Sequence, residues 1–264
     1  MSGAACVHVE VADDGVARVT LDRPERHNAF DEAMVAELDA AFRRVGAHPS
    51  VRVVILEARG PSFSAGADLE WMRRMADASE AEGLADAMAL ARMVHRLDAL
   101  AVPTIALVQG RAFGGGVGLV AACDVALAAP EATFRLSEVR LGLIPSVIAP
   151  YLVAAIGARA ARRYALTAEE IGAHEARRLG LVHEVVAAAA MEEEGRRLTE
   201  TILRGAPRAQ RDAKELIRAV ARAPLDEALL ERTARGIAAA RSSREGREGV
   251  SAFIEKRAPH WSPE

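Results

Sequence analysis

Apolar residues recur along this chain at two different periods, and the alternation between them predicts an α/β fold. Val7–Val11 and Val16–Leu21 are short β-branched runs on either side of Ala12-Asp13-Asp14-Gly15, and Asp-Gly between two such runs predicts a hairpin. Pro24 closes the second run. Asp31 is then placed to cap a helix in which Met34, Val35, Leu38, Ala41, Phe42 and Val45 keep helical spacing as far as Gly46. Val51–Leu56 is almost wholly apolar, the pattern of a strand covered on both faces. Residues 69–100 read as helix interrupted near Gly83, and further strands are expected over Thr104–Val108 and Asp124–Ala128. Between those two strands lie several glycines and a short apolar helix ending at Ala122. Beyond Ala158 the spacing is helical almost throughout, over 158–164, 168–179, 189–203, 207–223 and 225–241. The pattern therefore divides the chain into an α/β part, residues 1–200, and a helical part, residues 201–264, with no internal repeat at a fixed period.

Composition narrows the classes of function. At 264 residues and 51% hydrophobic the chain is long enough for one sizeable core. Thirty-four basic residues against 37 acidic ones leave a net charge of −3, which argues against a nucleic-acid partner. Cys6 and Cys123 are the only cysteines, too few for a disulfide framework or a CxxC metal site, so a cytoplasmic protein is expected. The first residues carry no basic segment followed by an apolar one, so no signal peptide is expected. No uninterrupted apolar run reaches the ~18 residues that would suggest a membrane span.

Two loops stand out as places for chemistry. One is Ser62-Phe63-Ser64-Ala65-Gly66-Ala67-Asp68-Leu69; the other is Gly110-Arg111-Ala112-Phe113-Gly114-Gly115-Gly116-Val117-Gly118. Each follows a strand and enters a helix, where small residues leave backbone N–H groups free and outward. Two such loops could give one N–H each to a single oxygen, forming an oxyanion hole. The same glycines could instead serve only tight turns and close helix–strand packing. Glu138 lies in an apolar stretch, Phe134 to Pro145, where desolvation would raise its pKa toward a value suited to proton transfer. An ion pair with Arg135 or Arg140 is the alternative, and Asp68 reads as a helix cap.

Other signals fade on inspection. Gly116-Val117-Gly118-Leu119-Val120-Ala121 matches a dinucleotide-binding fingerprint, with Glu138 about 20 residues on. Only about two turns of helix separate it from the next strand, too short a crossover for that unit. Ser64 misses the nucleophile-elbow pattern by one glycine, and no histidine pair has metal-ligand spacing.

Arg23 to Phe30, Phe63 to Leu69, the Gly114-Gly115-Gly116 loop and Ser137 to Pro145, in this order, resemble the enoyl-CoA hydratase/isomerase (crotonase) family. The likeness runs from about residue 7 to the C-terminus. It implies ββα units wound into a spiral, with a helical C-terminal region that assembles a homotrimer or a homohexamer of two trimers. It implies acyl-CoA thioester substrates, no metal, and no cofactor beyond the coenzyme A of the substrate. Matched by position, the amides of Ala67 and Gly115 become the oxyanion donors and Glu138 the general acid/base. The family's other catalytic glutamate falls at Gly118, which cannot transfer a proton. The resemblance also assigns CoA contacts to Glu25, Arg26, His27, Ala29, Ala65, Gly66, Asp68 and Leu69. It adds Phe253 and Lys256 of the same or a neighbouring subunit, and Trp71 and Met72 as acyl-pocket or core residues.

Leu136 to Pro145, Ala155 to Tyr164 and Glu255 to Trp261 look most like the methylglutaconyl-CoA and isohexenylglutaconyl-CoA hydratases of leucine and acyclic-terpene breakdown. That subgroup also has glycine at the Gly118 position, which is expected to make room for a branch on the β-carbon. Reversible hydration of a β-branched 2-enoyl-CoA is thus expected. A Δ3,Δ2-enoyl-CoA isomerase using the same glutamate and a non-catalytic CoA-ester-binding protein are the alternatives.

Overall fold

Strands β1 (Val7–Val11) and β2 (Val16–Leu21) pair antiparallel, with Val7 opposite Leu21, and Gly15 takes the positive φ of 87° that closes the turn. The computed structural model describes residues 5–221 and 223–262; the first four residues, on which the expectation of no leader rests, lie outside them. Helix α1 (Glu32–Ala47) is capped by Asp31, whose side chain accepts from the Met34 amide at 2.9 Å. Its buried residues are the six apolar ones whose spacing predicts it. Next come β3 (Val53–Ala58), α2 (Leu69–Ala76), α3 (Glu80–Asp98), β4 (Thr104–Val108), β5 (Arg111–Phe113), α4 (Gly115–Ala122), β6 (Val125–Ala128) and β7 (Thr133–Arg135). After a short 3-10 turn at Glu138–Leu141 follow α5 (Ala149–Thr167), β8 (Ile171–Gly172), α6 (Ala173–Leu179), β9 (Glu184–Val185) and α7 (Met191–Leu203). The chain closes with α8 (Pro207–Val220), α9 (Glu227–Ser242) and α10 (Arg244–Glu255).

A six-stranded sheet runs in the order β1-β2-β3-β4-β6-β9, parallel after its first pair. A smaller sheet, β5-β7-β8, contributes Ala112, Phe134 and Ile171 to the main core. Each turn of the chain gives one strand to the large sheet and then a short extended segment to the smaller one. β4 is followed by β5 and β6 by β7. β3 is followed by Ser64, which bridges to Ala112 of β5. This is the expected spiral of ββα units. The main core fills the space enclosed by the spiral, with Phe30, Phe42, Phe63 and Phe134 at 0–1% exposure. A second core, including Val53, Ile55, Ile105, Leu107 and Leu127, is covered by Leu203 and neighbours on α7. Helix α7 spans the boundary at residue 200, and α8 and α9 bury no residue fully.

Several expectations are corrected. The break in the long helical stretch falls at 77–79, not at Gly83, because Ser79 and Glu82 form a reciprocal capping box that starts α3. Gly83 sits within that helix with open space beside it. The helix expected over 158–164 begins at Ala149 and kinks at Gly157, where φ is 73°. The helix expected from residue 168 starts only at Ala173, since Ala168 adopts φ 50° and Ile171 pairs with Phe134 of β7. α10 is an unforeseen helix: its Glu- and Gly-rich start hides an N-cap at Ser243. No helix among the described residues is long and apolar enough to cross a membrane.

Candidate active site

The first loop is held in place by a buried asparagine. Asn28 has left-handed backbone (φ 52°), as does His27 before it. Its side-chain nitrogen donates to the carbonyls of Arg59 and Ser62 at 2.9 and 2.8 Å, and its side-chain oxygen accepts from the Arg23 amide at 2.7 Å. The Ser64 hydroxyl donates to the Asn28 carbonyl at 2.8 Å. The loop then runs along Phe30. The Phe30 amide donates to Gly66, and the Asp68 amide donates to Phe30. Ala67, between them, therefore turns its own amide away from this edge, and that N–H joins none of the backbone bonds that fix the loop.

The second loop meets the first across glycines. The Gly114 amide donates to Arg135 of β7, and Gly115 opens α4 with a free first-turn N–H. A Cβ on Gly115 would lie 2.6 Å from Cε2 of Phe30, and one on Gly116 would lie 3.0 Å from Ser64. Only glycine permits this approach. A Cβ built on Gly114 would lie 3.3 Å from Oε1 of Glu138 and 3.9 Å from Cα of Gly66, so both loops and one carboxylate converge there.

Among the described residues Glu138 makes no ion pair. Arg135 instead bonds to Glu170 at 3.1 Å and lies over the Phe113 ring, and Arg140 is exposed. Oε2 of Glu138 is buried without a hydrogen-bond partner. Burial raises the Glu138 pKa, opposed only in part by its own backbone amide. The carboxyl faces a cavity of about 360 Å³. Ala65, Gly66, Ala67, Gly114 and Gly115 form one side, and Leu69, Trp71, Met72, Leu90, Leu141 and residues 143–148 line the rest. Among the described residues that line it, Glu138 is the only titratable group. A larger cleft of about 770 Å³ lies against Arg159, Arg162, Arg163 and Arg178, but it is open, and two of those arginines are already paired with Glu169 and Glu175. The smaller cavity combines free amides, a proton-transfer group and an apolar wall. That set can hold a carbonyl oxygen as it gains negative charge and move a proton beside it.

Of the residues singled out from the sequence, Ala65, Gly66, Ala67, Leu69, Trp71, Gly115 and Glu138 line this cavity. Asp68 stands behind it. Its side chain caps α2 through the Glu70 and Trp71 amides and pairs with Arg23 at 3.2 Å. Glu25, Arg26 and His27 are exposed in and beside a short turn, Pro24–Arg26, next to the first loop, with His27 Nδ1 3.0 Å from the Ser62 hydroxyl. Ala29 is buried, and its carbonyl accepts from Arg23. Phe253 and Lys256 lie exposed at the end of α10 and do not line the cavity of their own chain. Gly118 requires a correction. The room expected beside it is filled, because a Cβ there would lie 2.2 Å from Cγ2 of Ile148, itself a cavity residue. The tethering roles of Asn28 and Ser64 and the packing of Ile148 escape the sequence reading, although Asn in a turn is a recognisable left-handed signal.

Residues 12–264 match the family model described as enoyl-CoA hydratase/isomerase. A protein of Rhodobacter capsulatus named "Probable enoyl-CoA hydratase" is 36% identical over 255 residues, covering 94% of this chain and 95% of that protein. An enoyl-CoA hydratase crystal structure from Shewanella pealeana superposes with a TM-score of 0.94 at 41% identity, covering 97% and 96% of the two chains. Pseudomonas aeruginosa AtuE gives 0.93 at 39% identity, covering 98% of this chain and all of the other. With family model, relatives and fold in agreement across nearly its whole length, this chain belongs to the enoyl-CoA hydratase/isomerase family.

Proposed function

We propose that this protein reversibly hydrates a 2-enoyl-CoA thioester to the 3-hydroxyacyl-CoA. The observation that carries the reading is the buried, unpartnered oxygen of Glu138 where the two amide-bearing loops meet. The thioester oxygen accepts from the Ala67 and Gly115 amides. Water adds its oxygen to the β-carbon while Glu138 takes one of its protons, and the electron pair of the C=C moves onto the thioester as an enolate. Glu138 then gives that proton to the α-carbon and returns to a carboxylate. One carboxylate thus serves as base and then as acid, as the glycine at position 118 requires. Coenzyme A, carried by the substrate, is the only cofactor invoked.

The apolar cavity wall supports a hydrocarbon acyl chain beside the thioester. A β-branched, methylglutaconyl-like group is the finer proposal, carried by the resemblance and not by free space at Gly118. It needs Ile148 to turn aside. A homotrimer or homohexamer belongs to the same proposal. Ile217, Leu225, Phe253 and Ile254, each 65–85% exposed on and between the C-terminal helices, are apolar side chains that such an assembly would cover.

Purified protein given crotonyl-CoA, 3-methylglutaconyl-CoA and a 3-enoyl-CoA separates the possibilities. Hydration removes the absorbance of the conjugated thioester, and isomerisation of the 3-enoyl substrate creates it. Loss of absorbance with either 2-enoyl substrate is the expected result. No change with any 2-enoyl-CoA overturns the reading.

A further inference from the structure

Helix α2 forms part of the cavity wall, yet it is thinly attached. Of its eight residues only Trp71 is buried, and Leu69 at its start is 71% exposed. Its ends are tied by the Asp68 cap and by an exposed pair between Arg74 and Glu32. The middle of the helix depends on the indole of Trp71, which is 6% exposed and lines the cavity with Met72 and with Leu90 of α3. A buried indole N–H needs an acceptor. It finds Oδ1 of Asp86 at 3.1 Å.

Asp86 is an unusual acceptor. It lies on α3 one turn before Leu90, on the face turned toward the cavity wall. Among the described residues no arginine or lysine pairs with it, and Trp71 Nε1 is the hydrogen-bond partner of its side chain. Burial raises its pKa, the indole bond lowers it in part, and the charge of Glu32 adds to the rise. A half-buried carboxylate without a cation costs stability, so contact with solvent does not account for it. What it gains is a charge-assisted bond to the one residue that anchors α2.

We propose that Asp86 is a positioning residue that sets the acyl wall by fixing Trp71, so that binding of longer acyl groups depends on it. This rests on the CoA-thioester reading above. The test compares Asp86→Leu with Asp86→Asn, which keeps an oxygen acceptor, in the full chain.

With trans-2-decenoyl-CoA, Asp86→Leu should raise KM about five- to tenfold, while kcat for crotonyl-CoA stays within about twofold; Asp86→Asn should restore KM to within about twofold. The chain has two tryptophans, so a Trp261→Phe background leaves Trp71 as the sole emitter. Its emission should shift in Asp86→Leu and not in Asp86→Asn. In a Trp71→Phe background, Asp86→Leu should add nothing further.

The proposal is overturned if Asp86→Leu leaves both KM and emission unchanged, if it depresses both substrates equally with no rescue by Asn, or if its effect persists without the indole. Should Asp86→Leu fail to fold, Asp86→Ala carries the same comparison. Calorimetric binding of saturated decanoyl-CoA reads the wall without turnover. A wild type that binds it but hydrates nothing sinks the hydratase reading and leaves the Asp86 test standing. A wild type that hydrates crotonyl-CoA but does not bind decanoyl-CoA sinks the Asp86 proposal and leaves the hydratase reading standing.

Discussion

A buried carboxyl oxygen with no partner costs free energy, and Oε2 of Glu138 is such an oxygen. The cost is the price of a base held ready for work, and it yields two opposed consequences. Glu138→Gln should lower kcat for 2-enoyl-CoA hydration by about 10²–10⁴. The same change should raise the melting temperature by about 2–4 °C for each kcal/mol of relieved burial, read by calorimetry. The sign follows from linkage. Glu138 has a raised pKa in the folded chain, so its ionisation takes stability away as pH rises from the unfolded value through the folded one. Activity runs the other way. Hydration needs the carboxylate, so kcat/KM should fall as pH drops through a pKa above the ordinary glutamate value, and this limb should be missing from the residual activity of Glu138→Gln. The glycines make a parallel case. Gly115→Ala puts a methyl against the Phe30 ring and must displace the first amide of α4. Its kcat should fall about 10²–10³, the cost of one misplaced oxyanion donor, with KM little changed, as steady-state kinetics would show.

At the scale of elements, legibility tracked how far apart the deciding contacts lie in sequence. α1 was readable because six apolar residues and an Asp cap lie within one stretch. β5, β7 and β8 have two or three residues each, too few to show a period, and exist through pairing across the smaller sheet. The start of α3 is hidden by Gly83, although the Ser79–Glu82 capping box sets it. Ser79→Ala should cost about 1 kcal/mol and fray that start, detectable as faster amide exchange over residues 79–83. The candidate site divides in the same way. Its small-residue loops and its glutamate in an apolar run could be read locally. Asn28, which reaches 31 and 34 residues ahead to hold the first loop, could not. Nor could Ile148, which fills the space beside Gly118 from the turn that leads into α5.

At the scale of the whole molecule, the C-terminal helices are joined to the spiral by a polar clasp more than by a core. Lys214 of α8 donates to Asp124 at 2.6 Å and to the Val102 carbonyl at 3.2 Å, and Asp124 also accepts from the Thr104 amide and hydroxyl. Beyond this clasp, α10 presents Phe253 and Lys256 to solvent, away from the cavity of their own chain. A lysine that meets a CoA phosphate from that place would do so most directly across a subunit boundary, with its exposed apolar neighbours covered by the same contact. Lys256→Ala should then raise KM for CoA thioesters about three- to tenfold with kcat nearly unchanged, the loss of one charge-assisted bond. Mixed assemblies decide whose site the lysine serves. If Lys256 reaches a neighbour, a site built from a Glu138 chain bearing Lys256→Ala and a Glu138→Gln chain bearing Lys256 is intact. Co-assembled mutants should then regain low-KM activity that neither has alone. If Lys256 serves its own chain, every site keeps one defect and mixing restores nothing. Sedimentation of the same mixtures as monomers would remove the shared boundary and the prediction with it.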